Sequence, residues 1–188
     1  MSRDSSVTYQ EITLAVSQAR DKFIREDIWG RKSVGDDSIN GEYLTRYCLP
    51  IGCDEKTDEY FVTLPARPLN LERNKGIYRV GYIKDQANSF VPASSGAVSL
   101  YAGLEGETPS GRSTYYVQED KIYFGGVKKA DILKEVLVVM IASSSEIGDD
   151  EEFPVPADKE LDIVQAVMQI YAPEKAQPED VINDNVDQ

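Results

Sequence analysis

Pairs of adjacent carboxylates are the side chains in this sequence whose type and spacing could do chemistry. Paired acids can cleave glycosidic bonds or hold Mg²⁺ and Ca²⁺. The run DEKTDE that starts at Asp54 lacks the glycine and the correctly placed glutamate of an EF-hand loop. Since adjacent acids are usually solvated in turns, we predict neither a catalytic pair nor a metal site. The clusters are Asp36-Asp37, Asp54-Glu55, Asp58-Glu59, Glu119-Asp120 and residues 149–152.

The sequence contains no histidine, and this excludes several enzyme classes. A Ser-His-Asp triad, a Cys-His pair and a His-ligated metal all require that side chain. The glycine-rich stretch 103–111 lacks the lysine of a phosphate-binding loop. We therefore predict that the protein is not an enzyme and binds no cofactor, with a carboxylate-dependent hydrolase as a remaining alternative.

Cys48 and Cys53 are the two cysteines of the chain. Their spacing allows a local disulfide, but a protein made in the cytoplasm normally keeps its thiols reduced. Without histidine, two thiols cannot complete the usual four-ligand zinc site. We expect two free thiols.

Charge is distributed very unevenly along the chain. Residues 146–188 contain 13 acids but only Lys159 and Lys175, which gives a net charge of −11 out of −13 overall. Nucleic-acid binding requires clustered Lys and Arg, so we expect no specific contact with nucleic acid. The longest apolar run, residues 136–142, is too short to cross a membrane, and we expect no membrane association. The first residues lack the apolar segment of a secretion signal.

Two helices are predicted, one near each end. Thr8 and Glu11 form a capping-box pattern ahead of a helix that runs to about Arg25. Residues 30–41 are typical of a loop, and Trp29 at its entrance is expected to plug a core. One face of the helix carries the apolar positions Ile12, Ala15, Val16, Ala19 and Phe23.

Strand patterns dominate the middle of the chain. Residues 136–142 are uniformly apolar, which predicts a central strand buried on both faces. Residues 118–120 have turn chemistry between two short apolar runs and predict a hairpin. In residues 77–83, alternation places Tyr78 and Tyr82 on one side. The remaining candidate strands are residues 60–64, 90–91, 98–101, 115–117 and 121–124.

The C-terminal helix is predicted over residues 157–171, with Pro156 in its first turn. Ile163 and Ile170 widen its apolar stripe beyond a simple amphipathic face. A helix of this kind needs contacts on more than one side, which either its own domain or a neighbouring subunit could provide. The stripe consists of Leu161, Val164, Val167, Met168 and Tyr171.

These elements predict an α+β fold in which two terminal helices form a helical base around a β-rich insertion. We expect the C-terminal helix to pack with the N-terminal one and the acidic tail to be disordered. The predicted segments are an N-terminal helix and loop (1–42), the β-rich insertion (43–147), the C-terminal helix (148–173) and the tail (174–188).

The end of the chain also resembles a known group of proteins. The run DDEEFPVPADKELDIVQAVMQIY (149–171) and the tail sequence PEDVINDN resemble virion structural proteins of tailed phages, in particular of crAss-like podoviruses of gut Bacteroidales. The stretches CDEKTDEYFVTLPARPLNL and GIYRVGYIKDQANSFVP extend the resemblance over residues 53–185.

The resemblance implies a virion protein made in the host cytoplasm that forms a ring in the neck, as a head–tail connector below the portal. It implies a homo-oligomer whose partners are the portal and adjacent neck or tail proteins, and through which DNA can pass. On this hypothesis the apolar helix positions lie at subunit boundaries. They are Leu161, Val164, Val167, Met168, Tyr171, Ile12, Val16 and Phe23.

A second class of function also fits the residues. Most of the eleven tyrosines lie between Tyr43 and Tyr123, as in a sheet face or a binding interface. A non-catalytic, β-rich adhesion or carbohydrate-binding module that uses Tyr78 or Tyr82 is therefore the alternative.

Overall fold

In the described residues of the computed structural model, two α-helices flank the strands in chain order, which makes the fold mixed α+β as predicted. The structure describes residues 7–72, 76–84, 88–94, 113–127, 135–144 and 154–171. The helices are α1 (Tyr9–Ser33) and α2 (Glu160–Tyr171), the latter preceded by a 3₁₀ turn at Ala157–Lys159. The strands are β1 (Thr45–Pro50), β2 (Gly52–Asp54), β3 (Glu59–Thr63), β4 (Ile77–Tyr82), β5 (Val91–Pro92), β6 (Thr114–Gln118), β7 (Lys121–Gly125) and β8 (Glu135–Met140).

Helix α1 starts as predicted but ends later. The Thr8 N–H donates to the Glu11 carboxylate over 2.8 Å, and the Thr8 hydroxyl accepts from the Glu11 N–H over 3.3 Å. The helix then continues past Arg25 to Ser33, with Arg31 bonded one turn back to Asp27 over 3.1 Å. The prediction of a loop from residue 30 is therefore wrong for its first four residues.

The three-stranded sheet has the order β1–β8–β4 and is antiparallel throughout. Strand β8 lies in its centre, which confirms the prediction of a strand buried on both faces. Val138 and Met140 belong to the core between the two sheets, whereas the following Ile141 packs against α1.

The five-stranded sheet has the order β2–β3–β7–β6–β5. The β6–β7 hairpin is confirmed, and Glu119 in its turn adopts a φ of 56°. Pro92 lies within the edge strand β5, one residue beyond the predicted strand 90–91. Val91 and Ala93 donate to the β6 side, so the missing N–H of Pro92 removes no bond from the ladder.

The main core lies between the two sheets. Phe90 joins them through edge-to-face contacts with Tyr82 and Phe124, at ring separations of 5.0 and 5.4 Å. Branched aliphatic side chains from both sheets fill the space around these rings. The fully buried members are Val62, Val80, Ile122, Val136, Val138 and Met140.

A bulge in β4 changes the predicted alternation. Ile77 pairs with Met140 and Arg79 pairs with Val139, so Tyr78 has no opposite residue. Tyr78 is consequently 58% exposed, while Tyr82 contributes to the core between the sheets. The prediction that these two tyrosines share one side is wrong.

The prediction that Trp29 plugs a core is also wrong, since its side chain is 72% exposed. Ile24, Tyr43, Leu69 and Ile141 already fill the space between α1 and the three-stranded sheet. The predicted strand 98–101, the acidic cluster 149–152 and the tail 174–188 lie outside the described residues. The division of the chain into four segments stays a prediction.

Candidate functional site

Helix α2 packs along α1 in the antiparallel direction. At its start, the Lys159 ammonium lies 5.6 Å from the centre of the Phe23 ring. At its end, the Tyr171 hydroxyl donates to the Glu11 carbonyl over 2.9 Å. The two contacts are separated by the same number of residues on α1 as on α2. The helices therefore lie side by side over the whole length of α2.

Two apolar faces lie on α2. Ile163 and Val167, one turn apart, are only 5% and 9% exposed. A second set remains uncovered and lies about 100° around the helix from the first, at 3.6 residues per turn. This set, which we name the α2 stripe, consists of Leu161 (64% exposed), Val164 (51%), Met168 (66%) and Tyr171 (37%).

The structure separates the predicted interface residues into two groups. The four residues of the α2 stripe present apolar surface to the outside. Val167 is buried within the chain itself, and Phe23 packs beside the cluster under α1. On α1, Ile12 is 41% exposed and Val16 is half-buried. Sequence periodicity found the apolar positions of α2 but could not tell which of its faces the body covers.

Arg20 fixes the position of the segment that leads into α2. Its side chain is fully buried and donates to the Ala142 carbonyl over 2.9 Å and to the Pro154 carbonyl over 3.3 Å. Burial lowers the pKa of the guanidinium, while Asp21, 3.0 Å away, acts in the opposite direction. Asp21 also accepts from the Ser144 hydroxyl over 2.9 Å. These bonds connect α1 to the segment that follows β8 and to the segment that leads into α2.

A groove lies beside the C-terminal half of α1. It encloses about 300 Å³, and we name it the Trp29 groove. Sequence reasoning missed it because Trp29 was expected to be buried. Its walls are formed by Arg25, Glu26, Ile28, Trp29, Lys32, Asn70, Leu71 and Glu72.

The remaining chemical groups are dispersed. Cys48 and Cys53 are free and exposed, as expected. In the part of the chain that the structure describes, His, Cys, Asp and Glu side chains form no group of three that could hold a metal ion. No described helix combines the length and the apolar character needed to cross a membrane. Of the two tyrosines considered for glycan binding, only Tyr78 offers an exposed ring.

These observations define a mixed α+β subunit whose outer surface carries an apolar helix stripe, a feature typical of proteins that assemble with other chains. The chain belongs to a family of phage tail ring proteins. The family model described as phage tail ring protein 2 matches residues 1–188, which is the whole chain. The resemblance to crAss-like phage virion proteins is thereby confirmed at the level of a ring protein, with a structural role in the virion. A search of the curated proteins found none that matches this chain.

Proposed function

We propose that the protein is the subunit of a closed homo-oligomeric ring that serves as a head–tail connector in the phage neck, below the portal. The observation that carries this proposal is the α2 stripe, which leaves three aliphatic side chains more than half exposed on a helix whose other apolar positions, Ile163 and Val167, are buried. Contiguous apolar surface of this kind usually marks an interface.

The stripe alone is too weak for a stable pair of subunits. Covering Leu161, Val164 and Met168 contributes roughly 1–2 kcal/mol each, given their present exposure. Association costs about 4–15 kcal/mol in lost translational and rotational freedom. A closed ring overcomes this unfavourable free-energy balance because each subunit contacts two neighbours. Closing the last interface costs no further translational freedom. The proposal therefore requires a cooperative ring and not an isolated dimer.

The negative charge supports a conduit through which DNA passes. The chain has a net charge of −13, of which −11 lies in residues 146–188. Surfaces of this sign repel DNA phosphates, so DNA can move past them without being held. The partners in this proposal are the portal and neighbouring neck or tail proteins.

Val164→Asp tests the role of the stripe. The charge replaces an exposed side chain, so the monomer should keep its helical circular dichroism and its melting temperature while assembly is lost. Gln165→Asp is the matched control, because it places the same charge on an exposed neighbouring position of α2 outside the stripe. Light scattering after size-exclusion chromatography gives the mass of each variant.

Two results would contradict the proposal. Assembly of Val164→Asp to the wild-type mass would show that the stripe is not at a subunit boundary. Unfolding of this variant would show instead that the stripe is required for the stability of the monomer.

A further inference from the structure

A ring built from identical subunits needs two different complementary surfaces on each chain, because its interfaces are head-to-tail. The α2 stripe supplies one surface. We infer that its counterpart is the Trp29 groove of the adjacent copy, so that the stripe of one subunit lies in the groove of the next. This inference rests on the proposed ring and identifies the partner of the stripe.

The groove has the apolar character that the stripe requires. Trp29 is 72% exposed, and Ile28 and Leu71 form the half-buried surface beside it. Tryptophan is enriched among the residues that dominate interface energies, since its large ring loses much water contact on docking. A volume of about 300 Å³ is at the lower end of the range for ligand pockets and accommodates a few side chains such as Leu161 and Met168.

The rim of the groove carries charges of both signs, and one of its cations, Arg25, suits the acidic side chains beside the stripe. On the rim of the groove, Lys32 pairs with Glu72, and Glu26 lies 3.8 Å from Lys22. Arg25 adds a further exposed positive charge to this rim. Beside the stripe, Glu160 and Asp162 are negative and exposed. Opposite charges at the edges of an interface favour one register of docking over others.

The positions of the two surfaces suit a head-to-tail contact. Helix α2 lies against α1 between Glu11 and Phe23. Trp29 is six residues beyond Phe23, which places it about 9 Å further along α1 and about 120° around it. The groove therefore lies beyond the part of α1 that α2 of the same chain covers. A subunit with both surfaces can bind one neighbour on each side.

Complementation between two variants tests this pairing. Trp29→Asp places a charge in the groove and leaves the stripe intact. Met168→Asp places a charge in the stripe and leaves the groove intact. Each variant alone should be a folded monomer. An equimolar mixture should form a weak heterodimer, which cannot grow because each end is blocked. Chemical cross-linking at high protein concentration should capture it at twice the subunit mass, and neither variant alone should give this product. Gln18→Asp, at an exposed position of α1 away from the groove, is the control and should assemble like the wild type.

The possible results separate this inference from the proposed ring. Ring formation by Trp29→Asp, with Val164→Asp monomeric, would overturn the inference and leave the ring proposal intact. A mixture that gives no cross-linked heterodimer at high protein concentration would also overturn the inference, while assembly of Val164→Asp would overturn the ring proposal itself. If circular dichroism shows that Trp29→Asp fails to fold, Arg25→Glu replaces it at the exposed rim. The inference then requires this variant to lower the assembled fraction at least several-fold.

Discussion

Arg20 binds the backbone carbonyl of Pro154 from within the protein interior. The guanidinium donates from Nε and Nη2 over 3.4 and 3.3 Å, across 134 positions of sequence. Pro154 precedes the 3₁₀ turn at Ala157–Lys159 that leads into α2. Buried Arg20 on α1 therefore anchors the segment that leads into α2 and its apolar stripe.

Substitution of Arg20 should destabilise the protein strongly. Arg20→Met removes the donors to Ala142 and Pro154 and leaves Asp21 without its buried counter-charge. Breaking a buried ion pair by removing one partner costs about 3–5 kcal/mol. Arg20→Lys should cost less, since it keeps the charge but lacks the planar fork that reaches both carbonyls. Urea denaturation measures both values, and a wild-type midpoint for Arg20→Met would refute this role.

Gly76 is expected to tolerate no side chain. A Cβ at this position would lie 2.1 Å from the Leu69 carbonyl oxygen, which is backbone and cannot move aside easily. The Gly76 carbonyl also accepts from the Ile141 N–H over 2.8 Å. A shift of the Gly76 backbone would therefore disturb the end of the three-stranded sheet. Gly76→Ala should lower the free energy of unfolding by about 1–3 kcal/mol.

Gly30→Ala is the matched control for Gly76→Ala. Gly30 is exposed within α1, and a Cβ there would meet nothing within 4 Å. The substitution should raise the free energy of unfolding by up to about 1 kcal/mol, because alanine favours the helix. Equal effects of the two substitutions would show that the crowding around Gly76 is unimportant.

Tyr43 should make stability fall in alkaline solution. Burial, together with the Asp27 carboxylate that its hydroxyl contacts over 3.3 Å, raises the pKa of Tyr43 to about 12. In the unfolded chain the side chain titrates near pH 10. Below that pH both states keep the proton and the contribution to stability is complete. Between about pH 10 and 12 only the unfolded chain loses the proton, so stability decreases as the pH rises.

Tyr43→Phe removes this titration. The melting temperature of the variant should decline less steeply between pH 10 and 12 than that of the wild type. Below pH 10 the variant should be less stable by about 1 kcal/mol, since Asp27 loses a hydrogen-bond donor. Parallel pH profiles for the two proteins would contradict the assignment.

Cys53 should react slowly with alkylating reagents although it is exposed. Local desolvation, followed by the Asp58 carboxylate 3.9 Å from the sulfur, raises the pKa of the Cys53 thiol. The thiolate is the reactive form, so a raised pKa lowers the rate at neutral pH. In a Cys48→Ser background, Asp58→Asn should increase the alkylation rate measured by mass spectrometry. Asparagine suits the positive φ of 55° at this position, so the turn is retained. An unchanged rate would exclude the electrostatic effect.

Elements determined by neighbouring residues were predictable from sequence. The capping box at Thr8, the β6–β7 hairpin and the central strand β8 each depend on residues close together in the chain. Their signals were a helix-start pattern, turn residues between apolar runs and a uniformly apolar segment. All three are confirmed.

Features that depend on distant contacts were not predictable in the same way. The bulge at Tyr78 arises from pairing with β8, more than 50 residues away. Arg20 belongs to none of the patterns found in the sequence, yet it is buried, and Ala142 and Pro154 supply its carbonyl acceptors. The exposed Trp29 and the buried Val167 depend on which helix faces the body covers, and apolar periodicity alone does not determine that.

The most direct test of the ring is the mass and shape of the purified wild-type protein. Light scattering after size-exclusion chromatography gives the number of subunits, and negative-stain electron microscopy shows whether the assembly is closed. We expect closed rings of uniform size at high protein concentration. A protein that remains monomeric at every concentration, with no rings in the images, would contradict self-assembly through the α2 stripe.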